Sequence, residues 1–154
     1  MVPTAEIKCL KVFKMLPPVA LEAISRDIEE VAFETGDFIL HQHDEASAIY
    51  VLLSGSVEFL ITIESLDDLF VGTTSEPGAF IGWSVVREPH RYTASVRCTE
   101  PCRVLRLPRG TVAAILKDDP AAGRHILAAV AAALVDRLEV ARALLGRQPK
   151  SGPR

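Results

Sequence analysis

Ile49-Tyr-Val-Leu-Leu-Ser-Gly-Ser-Val-Glu-Phe-Leu-Ile-Thr-Ile63 is the stretch on which the fold turns. An unbroken apolar run, Ile49 to Leu53, meets Ser54-Gly55-Ser56, and a second run rich in β-branched and aromatic side chains follows. Such side chains fit a pleated, half-buried surface, and a serine–glycine cluster supplies a turn. The pair therefore predicts an antiparallel hairpin. The same pattern repeats outward in both directions. Val31–Phe33, Phe38–Leu40, Leu69–Val71, Ala94–Val96 and Cys102–Leu107 are further short runs, separated by Thr35-Gly36-Asp37, Asp67-Asp68 and Glu76-Pro77-Gly78. Strands at this spacing predict an antiparallel β-barrel or jelly roll of about eight strands over residues 31–118.

Helical periods flank this zone, so the predicted class is mainly β with flanking helices, an α+β arrangement. In residues 1–30, Thr4 is a candidate cap for a short helix with Ile7, Leu10 and Phe13 on one face. Pro17 and Pro18 break it, and Leu21, Ile24, Ile28 and Val31 resume a helical face. At the other end, Asp119 is a candidate N-cap, with Pro120 at the first helical position. The helix predicted over 119–145 is about 39 Å long at ~1.5 Å per residue. Leu127, Ala131, Leu134, Leu138, Ala141 and Leu145 alternate in steps of four and three, a heptad seam. The seam either packs on its own sheet or pairs with a second copy. Helix length, small alanines, and the off-seam contacts offered by Ile126, Val130 and Val135 favour a homodimer. Residues 146–154 read as a basic flexible tail.

Composition narrows the class. Of the 154 residues 49% are hydrophobic and 24% charged, enough apolar content to bury a core. Seventeen basic against twenty acidic residues leave a net charge of −3, which gives no support to whole-surface nucleic-acid binding. The longest apolar run, Ile126 to Val135, is too short to span a bilayer, and no signal peptide opens the chain. Cys9, Cys98 and Cys102 are an odd set that favours free thiols over a disulfide framework. These features predict a cytoplasmic protein without a membrane partner.

Helix, β-barrel, long helix is a specific order, and the barrel carries recognisable words. Thr35-Gly-Asp-Phe-Ile-Leu-His-Gln-His-Asp44 followed by Ile49 to Val57 resembles the opening hairpins of the cyclic nucleotide-binding domain. Pro77-Gly-Ala-Phe-Ile-Gly-Trp-Ser-Val-Val86 and Arg91-Tyr-Thr-Ala-Ser-Val96 resemble the two ends of that family's phosphate-binding cassette. The C-terminal helix is similar to the dimerising helix of its catabolite-activator and oxygen-regulator branch. The resemblance implies a non-enzymatic sensor in which ligand capture repositions the C-terminal helices. It also implies a pocket formed by Gly82, Trp83, Ser84, Arg91, Tyr92, Thr93 and Ala94.

The family's cassette holds a glutamate on the ribose and an arginine on the cyclic phosphate, because a half-buried anion needs a fixed cation and convergent N–H donors. Here Trp83 stands at the glutamate position and Tyr92 at the arginine position. Arg91 lies one residue earlier, which on a strand turns it to the other face unless a bulge re-aims it. Trp83 is read either as a plug or as a stacking platform for a flat ligand. Tight binding of cyclic AMP or cyclic GMP is therefore not expected, and a possible effector would be flatter and less anionic. His43 replaces the usual glycine of the first Gly-Asp turn, and histidine tolerates left-handed backbone better than most residues.

His41-Gln-His43 on a strand would put two rings on one face, as cupin metal sites do, but Ser47 and Ala48 stand where the third ligand belongs. No metal or other cofactor is expected. Glycine-rich nucleotide loops, nucleophile elbows and paired catalytic carboxylates are missing from the sequence, so no enzyme is expected. Two other classes remain: the sensor half of a transcription regulator whose helix-turn-helix lies elsewhere, and a ligand-free scaffold for a protein partner. Sequence-specific DNA binding by these residues alone is not expected, because the basic tail is only a weak phosphate attractor.

Overall fold

Pro18 at the first helical position and the pairing of Val57–Ile61 with two partners set the frame on which everything else is hung. The computed structural model describes residues 2–64 and 67–146. In chain order it contains α1 (Thr4–Lys8), α2 (Pro18–Asp27), β1 (Glu29–Phe33), β2 (Phe38–Leu40), β3 (Ala48–Ser54), β4 (Val57–Ile61) and β5 (Leu69–Thr74). There follow β6 (Phe80–Ile81), a 3₁₀ turn (Trp83–Val86), β7 (Ser95–Cys98), β8 (Cys102–Pro108), α3 (Arg109–Asp118) and α4 (Pro120–Gly146).

The strands form two four-stranded antiparallel sheets, ordered β1-β8-β3-β6 and β2-β7-β4-β5. They are jelly-roll-like rather than closed into a barrel. Both sheets contribute to one core, Val51, Leu52 and Val104 from the first and Val57, Phe59 and Val96 from the second, and β3 is buried on both faces over Ala48–Leu52. The N-terminal segment closes one end, where Phe13 meets Phe80 edge-on at 6.2 Å.

Several boundaries differ from expectation for local reasons. Thr4 is the first helical residue and Pro3 the cap, so no threonine side chain caps α1. Val31 continues no helical face; it lies in β1, paired with Val104. The ten residues Arg109–Asp118, expected within the barrel, form α3, which buries Thr111, Val112 and Ile115. β6 is only two residues long and pairs with β3 through Tyr50 and Val51.

α4 begins as expected, with the Ala122 amide donating to Asp119 Oδ1 at 3.0 Å. Its barrel-facing stripe is Ala122, Ile126, Val130 and then Ala133, Arg137 and Val140. β5 accommodates it through Gly72 (φ +136°): a side-chain carbon there would lie 2.8 Å from Val140 Cγ1. The heptad seam points away from this sheet. Leu127, Leu134, Leu138 and Leu145 are 46%, 42%, 51% and 68% exposed. Val135, expected to contact its own chain, is also exposed. Of the tail, Gly146 closes the helix and residues 147–154 lie outside the described residues.

α2 and α3 are tied by Thr111, whose hydroxyl donates to Asp27 Oδ2 at 2.7 Å. That bond holds the Asp27 carboxyl below the usual carboxylate range, with burial opposing it and Arg26 assisting. A depressed carboxylate stabilises the fold above its unfolded pKa of about 3.9 and loses that contribution as pH falls through the folded value. Asp27 is one-third exposed, so Thr111→Val should cost only about 1 kcal/mol at neutral pH. Denaturant melts of both proteins should converge as pH falls through the lowered folded-state pKa of Asp27.

Candidate functional site

The cassette begins at Gly82, whose φ of +80° places it in the left-handed region as it enters the Trp83–Val86 turn. A side-chain carbon there would sit 3.0 Å from Tyr92 Cε1 and 3.1 Å from Leu40 Cδ2. Only glycine fits both the conformation and the space.

Tyr92, at the other end of the cassette, turns inward and is 5% exposed. Its hydroxyl donates to the Ala48 carbonyl at 2.6 Å and accepts from the Ala48 amide at 3.3 Å. Burial raises its pKa, with the bond to Ala48 opposing. Alternation then sends Arg91 outward. Its Nη1 donates to the His43 carbonyl at 2.9 Å, and its backbone bridges Glu45. Arg91 therefore clamps the surface loop at 43–45 and lines no part of the cassette cavity.

Gly82, Trp83, Ser84, Tyr92, Thr93 and Ala94 do come together, with Leu40, Phe59 and Val96 behind them. The space they enclose is about 20 Å³. Small-molecule pockets measure roughly 300–1,000 Å³, so the space is far too small for a nucleotide. The cavity is filled by the protein's own side chains. Ser84 is buried, Trp83 and Ala94 are half-buried and Thr93 is exposed.

What fills it is an aromatic layer. Trp83 stacks on Phe59 with centroids 6.2 Å apart and planes 24° apart. The Arg137 guanidinium lies 4.6 Å from the Phe59 centroid, and its Nη1 donates to the Thr73 carbonyl at 3.3 Å. Partial burial lowers the Arg137 pKa, with Asp136 opposing. Phe59 and Arg137 were not among the expected site residues. Arg137 carries no signal when only the outer seam of α4 is followed; on the inner stripe it stands between Ala133 and Val140, where a cation is unexpected.

The His-x-His pair does not lie on a strand. β2 ends at Leu40, His43 has φ +72°, and His41 stacks on Phe38 at 4.6 Å. Among the described residues no three metal-ligating side chains gather. Cys98 and Cys102 are buried and Cys9 is exposed, all free thiols. Burial, then the neighbouring Cys102, pushes the Cys98 thiol up to about 12, which keeps it protonated and unreactive.

The family model for the cyclic nucleotide-binding domain matches residues 30–119, and the chain belongs to that family. A regulatory subunit of cAMP-dependent protein kinase from Yarrowia lipolytica is 29% identical over 106 residues, 69% of this chain and 27% of the relative. The chain thus spans about a quarter of that protein's length. Among solved structures, a candidate cyclic nucleotide-binding protein from Geobacter metallireducens is 30% identical with a TM-score of 0.78, covering 90% of this chain and 99% of the other. The sensor domain of the transcriptional regulator DNR from Pseudomonas aeruginosa gives 0.71 at 18% identity, covering 98% and 95%. The Thermus thermophilus catabolite activator protein gives 0.65 at 23%, covering 88% and 61%. The last two show the fold alone. Family and fold are those of regulatory domains, and no helix among the described residues is long and apolar enough to cross a membrane.

Gly82→Ala tests the cassette's geometry. Left-handed backbone costs a non-glycine residue roughly 1–2 kcal/mol, and crowding against Tyr92 adds to it. For a domain of this size the melting temperature should fall by roughly 4–8 °C.

Proposed function

We propose that this chain is a non-enzymatic regulatory module of the cyclic nucleotide-binding family whose cassette does not hold cyclic AMP or cyclic GMP tightly. The observation that supports this most is the 20 Å³ cavity, packed by Trp83, Phe59 and Tyr92, with Arg91 bonded outside it. A cyclic nucleotide would meet neither a carboxylate for its ribose nor a cation for its phosphate. Each charge-assisted hydrogen bond is worth about 1.5–3 kcal/mol, so the pair represents roughly two to four powers of ten in affinity. From a micromolar starting point that falls near millimolar. Isothermal calorimetry with both nucleotides should show no sub-millimolar binding. Low-micromolar binding of either would sink the reading, because it would require Arg91 to leave His43 and enter the cassette.

The module acts as a homodimer through α4. Leu127, Ala131, Leu134, Leu138, Ala141 and Leu145 hold a heptad pattern, and their leucines are exposed on a single chain while a different stripe packs on β5. A helix apolar on two faces has a second face to cover. Leu134→Glu would bury a charge at the seam without touching the barrel-facing stripe, and a buried unpaired charge is strongly destabilising. Light scattering should report a dimer for the native chain and a monomer for the variant. A variant that remains dimeric would place the interface elsewhere.

A further inference from the structure

A second space lies on the far side of Phe59 from the cassette. It measures about 560 Å³, within the range of small-molecule sites, and is lined by the Lys11–Met15 segment, the turn from Glu76 to Phe80 and α4. Its body is apolar: Val12, Met15, Phe59 and Phe80 surround it, and Ala129 and Ala133 leave room along α4. Its charges are not equivalent. Glu76 and Asp136 are exposed, as is Lys11, and Asp136 favours the charged form of Arg137. Arg137 is half-buried, desolvation lowers its pKa, and among the described residues no carboxylate lies within ion-pair distance of it. One of its nitrogens is committed to the Thr73 carbonyl, and the guanidinium fork retains further N–H donors. A cation already stripped of part of its water gains most from an anion delivered on an apolar body.

We propose that this groove between the N-terminal segment, the β5–β6 turn and α4 binds an aromatic carboxylate, its ring against Val12 and Met15 and its carboxylate on Arg137. The proposal goes beyond the cassette reading and needs neither the dimer nor a filled cassette. The groove would thus take over as effector site, with Phe59 as the element common to both spaces.

The probes are naphthalene-2-carboxylate and its neutral counterpart, 2-naphthalenemethanol, titrated calorimetrically into the full chain. The carboxylate should bind in the sub-millimolar range and the alcohol at least about tenfold more weakly, the loss of one charge-assisted hydrogen bond. Ala132→Trp fills the groove from an exposed α4 position off the heptad seam, so the fold and dimer are retained, and it should abolish binding. Arg137→Met keeps an apolar stem over Phe59 and should bring the two probes to equal affinity. No binding to the native chain, equal binding of acid and alcohol, or binding that survives Ala132→Trp would each overturn the proposal. Cyclic-nucleotide titration remains a separate experiment, so failure here leaves the cassette reading standing, and the reverse also holds.

Discussion

The Tyr92 hydroxyl on the Ala48 backbone is the interaction from which the rest of the site follows. A buried phenol without a partner would cost several kcal/mol, and Ala48 meets it with both carbonyl and amide. That pair of bonds fixes which face of the chain looks inward after the cassette. Arg91, held in an isolated bridge to Glu45, looks outward, against the His43 carbonyl. The same ring presses on Gly82, which is why the cassette must start with a residue lacking a side chain and in left-handed backbone. One hydroxyl thus sets which side chains of the loop face the cassette.

Above this layer, packing converges on Phe59. The ring is 3% exposed and contacts Trp83 and Arg137. A desolvated cation over an aromatic face contributes up to about 2 kcal/mol, enough to favour α4 lying across β4 and β5. Gly72 makes the approach possible, since any side chain there would strike Val140. The long helix is therefore read by the barrel on one stripe while its leucine seam stays outward. Phe59 thus joins the cassette to α4 by direct contact.

The fold was largely legible before the structure. Strand composition and Ser-Gly-Ser or Gly-Asp turns placed Phe38–Leu40 without error and most other strands within two residues, because turn chemistry is local. What was missed depended on tertiary contacts. α3 follows β8 without a break, so nothing local separates its apolar residues from the strand before it. β6 is too short for a pattern of two to show. In the site, the one-residue offset of Arg91 was visible from alternation, whereas Phe59 and Arg137 were not, since both are ordinary choices for a strand and a helix until they meet in space. His43 was singled out for the right position, and it does adopt left-handed backbone.

The most direct test is to watch Tyr92 titrate. Tyrosine labelled with carbon-13 at Cζ reports ionisation by a shift of several parts per million, and Tyr92→Phe assigns the signal. Burial raises the Tyr92 pKa above its ordinary value of about 10, with the bond to Ala48 opposing. The account predicts that Tyr92 in the folded protein titrates above that ordinary value. Titration of Tyr92 at the ordinary value in the folded protein would contradict it, because a solvent-facing phenol would free the register that holds Arg91 outside.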